Sequence, residues 1–192
     1  SISDSFPWRT DNNYSTIFRF QNILKFFYQD KKNIVDINFF TKEGELFKEL
    51  RDYNIDSHNE IVINKKLLDE VEDYGSFSIY HKSDFDQNSI RNSCYTGFSF
   101  KKKSYVYVHG NLPTSARKLK NLNNKTITGI IGKSFLTNQI YKIQNSFDES
   151  DYIELFIHNP CNSSVKAIIN NQELSLNKNS SRIIRLFEKE IT

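Results

Sequence analysis

Val165-Lys166-Ala167-Ile168-Ile169-Asn170-Asn171-Gln172-Glu173-Leu174-Ser175-Leu176 reads as a β-hairpin, and its reading decides that of the whole chain. Val165, Ala167 and Ile169 fall on one side of a pleated strand, because side chains along a strand alternate with period two. Asparagine tolerates positive φ, so Asn170-Asn171 suits a two-residue turn between a strand at 165–169 and one at 173–176. On either side the same short alternation marks strands at 152–158 and 182–187. Toward the N-terminus it marks 14–21, 34–40, 45–50, 60–63, 76–81, 95–100, 105–109, 126–131 and 139–144. Lys42-Glu43-Gly44 and the polar run 177–180 punctuate these segments. Two short helices are expected. One spans 64–75, with Asn64 as cap, Leu67, Leu68 and Val71 on one face and Gly75 as its stop; the other spans 114–122, on Ala116, Leu119 and Leu122. So little helix leaves no room for the alternation of a parallel sheet, and the expected fold is all-β: an antiparallel β-sandwich, jelly-roll or immunoglobulin-like.

One β-sandwich domain over 1–192 is expected, with a subdivision into 1–112 and 126–192 as the alternative. The alternative rests on a faint repeat. Ile17-Phe18-Arg19-Phe20-Gln21-Asn22 resembles Ile140-Tyr141-Lys142-Ile143-Gln144-Asn145, and each is followed by a strand, a hairpin and a further strand. Duplication would give two similar halves, joined through the polar stretch 112–125.

A chain of 192 residues can bury roughly 70% of its unfolded surface, and 14% aromatic residues supply much of the apolar area that a 38% hydrophobic content leaves short. No apolar run approaches the roughly 18 residues needed to span a bilayer. Methionine is absent, from which removal of an initiator or a leader is expected. Cys94 and Cys161 allow one disulfide, too few thiols to mark a compartment.

Charge is distributed unevenly. From Gln87 to Phe147, 61 residues hold no Asp or Glu but ten cations: Arg91, Lys101, Lys102, Lys103, Arg117, Lys118, Lys120, Lys125, Lys133 and Lys142. The flanks carry 16 basic and 23 acidic residues, a balance of −7 that with +10 returns the net +3. Such polarity speaks about partners: either the acidic flanks fold over the basic segment, or the segment presents an anion-binding surface. Lys101-Lys102-Lys103 falls in a turn between the strands that end at Phe100 and begin at Tyr105.

The second reading gives a non-catalytic binding or assembly module for an anionic partner, with acidic carbohydrate preferred and nucleic acid second. Its contacts are expected from Lys101, Lys102, Lys103, Tyr105, Tyr107, His109, Asn111, Arg117 and Lys118, with Trp8 and Tyr14 of a polar N-terminal arm adding aromatic faces unless Trp8 plugs the core edge. Thr96-Gly97-Phe98-Ser99-Phe100 lacks the leading basic residue, second glycine and final aromatic of the RNA-recognition strand, which excludes that fold.

Enzymatic alternatives have thinner support. His81, His109 and His158 each end a strand and would form a three-nitrogen metal site if those ends converged, the basis of an alternative metal-dependent enzyme. Asp36 and Glu154 are the only carboxylate pair that the repeat brings into correspondence for glycoside hydrolysis. No H-x-H, C-x-x-C, H-E-x-x-H or G-x-S-x-G spacing occurs, and no cofactor is implied. A structural role, as in a capsid or tail protein, is the remaining alternative.

Overall fold

Period-two alternation becomes antiparallel pairing throughout the computed structural model, which describes residues 2–20, 34–55, 60–82, 94–103, 106–108, 114–118, 127–131, 151–161 and 163–188. The strands are β1 (Ile2–Arg9), β2 (Tyr14–Phe20), β3 (Ile34–Thr41), β4 (Leu46–Asn54), β5 (Glu60–Ile63), β6 (Tyr74–Lys82) and β7 (Cys94–Phe100). They continue with β8 (Val106–Val108), β9 (Thr114–Lys118), β10 (Ile127–Ile131), β11 (Tyr152–His158), β12 (Val165–Ile169), β13 (Gln172–Leu176) and β14 (Ser181–Phe187). One sheet has the order β10-β9-β1-β6-β3-β4, a second β5-β2-β7-β8, and β11-β14 and β12-β13 form two-stranded ribbons. Among the described residues no helix is long and apolar enough to cross a membrane.

The two larger sheets pack as the layers of a sandwich. Phe6 and Trp8 of β1, Val35, Ile37 and Phe39 of β3, and Phe77 and Ile79 of β6 form one core with Phe18 of β2 and Ile61 and Ile63 of β5. Phe18 is the bridge: its ring centroid lies 4.6 Å from that of Phe6 and 5.1 Å from that of Phe77, the latter edge-on. Each such side chain contributes roughly 1.5–3 kcal/mol by leaving water. Gly75 permits the tightest contact, since a Cβ there would stand 2.0 Å from the Phe40 carbonyl oxygen and 2.9 Å from Trp8 Nε1. Trp8 is fully buried and its indole N–H donates to that same carbonyl at 3.0 Å.

The opposite face of β1 and β6 is lined by Ser5, Ser76 and Ser78, all buried. Small side chains there let the β11–β14 ribbon approach: His158 reaches Ser5, and the Phe156 ring meets Tyr74 edge-on at 5.9 Å.

Several expectations are corrected. The segment 64–75 begins as anticipated, with the Leu67 N–H donating to Asn64 Oδ1 at 2.9 Å and Leu68 buried. Positive φ at Asp69 and Glu70 then stops it after a single turn, and Gly75 belongs to β6. The segment from 114 is not a helix but β9, held between β1 and β10, so strand pairing overrides the i, i+3 pattern. The polar N-terminal arm is β1, an interior strand of the large sheet. Cys161 is a free, buried thiol, so it forms no disulfide with Cys94.

The proposed repeat is not carried into the pairing. β3 lies between β4 and β6 whereas β11 pairs with β14, and β5, the counterpart of β14, joins β2. Its 140–145 segment lies outside the described residues. The large sheet draws β9 and β10 from and beyond the polar stretch 112–125 onto β1.

Candidate ligand-binding cleft

Arg9, the last residue of β1, points away from the core beside the inner-face end of the β2–β7 pair. There its guanidinium carbon sits 3.8 Å from the centroid of the Tyr14 ring. Its backbone N–H donates to Thr16 Oγ1 at 2.9 Å, which fixes the corner between the two sheets. Asp11 takes two of its N–H groups at 2.9 and 2.8 Å, and Glu154 of β11 takes a third at 2.6 Å. Burial alone would lower the Arg9 pKa; the hydrogen bonds and charges of Asp11 and Glu154 outweigh it and hold the group above its ordinary value. Glu154 also accepts from Arg185 Nε at 3.1 Å, so two cations and two carboxylates close a neutral network.

Around this network lies a cleft of about 370 Å³, walled by Tyr14, Phe98 and Phe100 from the small sheet and by Phe156 and Ile183 from the β11–β14 ribbon. The sequence places these side chains together by register. Tyr14 pairs with Phe100 and Thr16 with Phe98, so all four share one face of β2–β7. Glu154 and Phe156 pair with Arg185 and Ile183, on one face of β11–β14.

Lys101, Lys102 and Lys103 directly follow Phe100, a residue of the cleft wall. They are exposed in the turn after β7: Lys101 N–H extends the ladder with β2 by donating to the Asn13 carbonyl at 3.0 Å, and Lys103 N–H closes the turn on the Phe100 carbonyl at 3.0 Å. Ser99 Oγ closes the turn from below on the Lys103 carbonyl. Lys101 Nζ stands 5.0 Å from the Phe100 ring centroid. No carboxylate among the described residues pairs with any of the three. Instead the flank acids serve flank cations: Asp36 and Asp52 hold Lys82, Asp73 holds Lys42, and Glu43 holds Arg182.

The other expected contacts are placed in part. Tyr107 is the β8 residue opposite Gly97. Arg117 and Lys118 pair with Thr128 and Ile127 in β9–β10, so they belong to the other sheet from the lysine turn. Tyr105, His109 and Asn111 lie outside the described residues. Trp8, expected as an aromatic contact, is core and offers no face to a ligand; Tyr14 does.

Of the metal candidates, His81 is the β6 residue opposite Val35 and His109 lies outside the described residues. His158 Nε2 lies 2.7 Å from Ser5 Oγ and Nδ1 lies 3.1 Å from the Ser180 carbonyl. A carbonyl only accepts, so Nδ1 carries the proton and Nε2 accepts from the serine, which leaves neither nitrogen for a metal in this arrangement. Burial lowers the His158 pKa to about 4 against the pull of the Ser180 carbonyl. Ser5 and His158 have the spacing of a nucleophile and its base, but Ser5 is 4% exposed, in mid-strand, and beyond reach of a substrate. Among the described residues no three His, Cys, Asp or Glu side chains cluster as for a metal. Asp36 and Glu154 sit in separate ion networks, one with Lys82 and the other with Arg9.

Of the cleft's lining, Tyr14 is among the residues expected from sequence, whereas Arg9, Phe156 and Ile183 meet only through the packing of the ribbon on β1. Comparison with protein-family models, with curated proteins and with solved structures finds no match to this chain.

Proposed function

We propose that this chain is a non-catalytic binding module that takes an anionic, ring-bearing ligand, in first place an acidic carbohydrate. The ring seats in the aromatic cleft, and Lys101, Lys102 and Lys103 meet the acidic group. The observation that carries this reading is the adjacency to the aromatic wall of a three-lysine turn that has no carboxylate partner among the described residues, with Lys101 Nζ 5.0 Å from the Phe100 ring centroid. The cleft volume suits a small ligand or one segment of a larger one. Tyr14, Phe98 and Phe100 offer flat apolar faces, and lysine neutralises a carboxylate or sulfate as a point charge. Arg9 is saturated by Asp11 and Glu154, so it shapes the wall while the turn supplies the charge.

A glycan array followed by calorimetry tests this. Wild type binds acidic sugars, the combined Lys101→Glu, Lys102→Glu, Lys103→Glu variant loses about 100-fold, and Phe100→Ala about tenfold. Unchanged binding by the triple variant, or preference for neutral sugars, would overturn the proposal. Were duplex nucleic acid the partner instead, three phosphate contacts would make log K fall with log salt at a slope of about −2.7, and acidic sugars would not bind.

A further inference from the structure

Two of the side chains that line the cleft are charged, and only one of the two accepts hydrogen bonds. Arg9 is a donor, already engaged by Asp11 and Glu154. Glu154 is an acceptor with capacity left over. An ionised carboxylate offers about four lone-pair sites. Arg9 Nη1 occupies one on Oε2 at 2.6 Å, and Arg185 Nε occupies one on Oε1 at 3.1 Å. Among the described residues nothing else donates to this carboxylate. Since a different arginine holds each oxygen, the group is fixed at the cleft wall before any ligand enters.

The electrostatics narrow what such an acceptor can take. Arg9 and Arg185 balance Asp11 and Glu154, so the network has no surplus negative charge for an ammonium, and the spare lone pairs call for a neutral donor. The acid of an anionic ligand brings only acceptors, and its place is the lysine turn that follows Phe100 on the small-sheet side of the cleft. Glu154 stands on the ribbon side, next along β11 to Phe156, which also lines the cleft. A ring held between the two walls therefore meets cations with its acidic group and a carboxylate with its remaining edge. A hydroxyl is the neutral donor that a sugar ring carries.

We infer that Glu154 determines the specificity of the cleft by accepting hydrogen bonds from ring hydroxyls, so that the ligand's acidic unit is a polyhydroxylated ring acid of the hexuronic kind and not a bare cyclic carboxylate of the same shape. The inference rests on the reading of the cleft as a site for an acidic ring, and adds which chemistry that ring must carry.

Chemical-shift titration of the full chain with methyl glucuronoside and with cyclohexanecarboxylate tests it. Both ligands are six-membered rings with one carboxylate, so the ratio of their affinities cancels the change of cleft charge that a substitution at Glu154 brings. Wild type prefers the glucuronoside by about tenfold or more, as a hydroxyl bonded to a charged acceptor requires. Glu154→Gln loses most of that preference. Glu154→Asp, which keeps the charge but shortens the reach by one methylene, gives the same direction should the glutamine variant fold poorly. A preference that survives both substitutions would overturn the role of Glu154 and leave the acidic-carbohydrate reading in place. Tighter binding of cyclohexanecarboxylate by wild type would overturn that reading too, leaving an anionic ring as the ligand. Stronger binding of 4-aminocyclohexanecarboxylate than of the glucuronoside would assign Glu154 to an ammonium and overturn the inference. Absence of binding by all three would overturn the cleft as an acid-binding site and this inference with it.

Discussion

Two hairpin tips of this molecule share a backbone and differ in chemistry. At the β12–β13 tip, Asn170 and Asn171 have φ of 48° and 62°; after β7, Lys101 and Lys102 have φ of 49° and 59°. Both are the left-handed geometry that matches the twist of paired strands. Asparagine adopts it readily, whereas an ordinary side chain such as lysine costs roughly 1–2 kcal/mol per residue. Elsewhere the chain respects that difference. Among the described residues, seven of the ten non-glycine positions with positive φ are Asn or Asp, and Glu70 joins the two lysines as the exceptions. Their surroundings differ too. The asparagine tip ends a ribbon beside Ile168, 73% exposed, whereas the lysine tip follows Phe100 of the cleft wall, with Lys101 Nζ 5.0 Å from that ring's centroid. Strain kept where charge without a carboxylate partner among the described residues meets aromatic surface supports the reading proposed above.

The comparison breaks most severely if the support beneath the lysine tip is removed. Arg9→Ala leaves Asp11 without its cation and Glu154 with Arg185 alone, in a corner where these side chains are 8–18% exposed. Stability is expected to fall by about 3–5 kcal/mol in urea unfolding, with ligand binding lost while the β12–β13 tip is unaffected. A wild-type unfolding midpoint for Arg9→Ala would mean that the ion network does not hold the cleft together. Acid probes the other wall. The His158 pKa is lowered to about 4 in the folded state, from 6.5 in the unfolded chain. The unfolded state therefore takes up a proton first as pH falls, and stability declines between about pH 6.5 and 4, by up to about 3 kcal/mol, then levels. His158→Gln removes this dependence. A His158 resonance titrating near pH 6.5 in the folded protein would show that the imidazole is not locked between Ser5 and Ser180.

Strand content was legible because the signal is local. β11 and β12 match the sequence reading residue for residue, since alternation and flanking turns decide them without reference to partners. Gly44, with φ of 90°, and the asparagine pair were legible for the same reason. β1 was not: Ile2, Phe6 and Trp8 keep period two, but Asp4 interrupts it, and its central place comes from pairing with β6 and β9. The 64–70 turn shows the boundary within one segment, where the cap and the buried Leu68 could be read and the left-handed stop at Asp69 and Glu70 could not. For the site, the lysines and Tyr14 stand out by composition. Arg9, Glu154, Phe156 and Ile183 come from positions up to 174 residues apart and meet only in three dimensions.

Exchanging the tips has the smallest energetic effect and separates strain from charge most cleanly. Lys101→Asn with Lys102→Gly gives this turn the residues its backbone favours, and is expected to raise stability by about 1–2 kcal/mol while weakening binding of acidic sugars. The reciprocal pair, Asn170→Lys with Asn171→Lys, places the same charge and the same strain at the other tip. It should lower stability by a similar amount and confer no binding, because no aromatic cleft adjoins that ribbon end among the described residues. Urea midpoints and calorimetry on both variants give four signs. If the first variant gains no stability, the lysines are not strained and their backbone carries no information about function. If it gains stability and still binds, Lys103 suffices and the turn's conformation is incidental. Only a stability gain joined to a binding loss at one tip, with a stability loss and no binding at the other, identifies a position where turn chemistry has been set aside for the sake of charge.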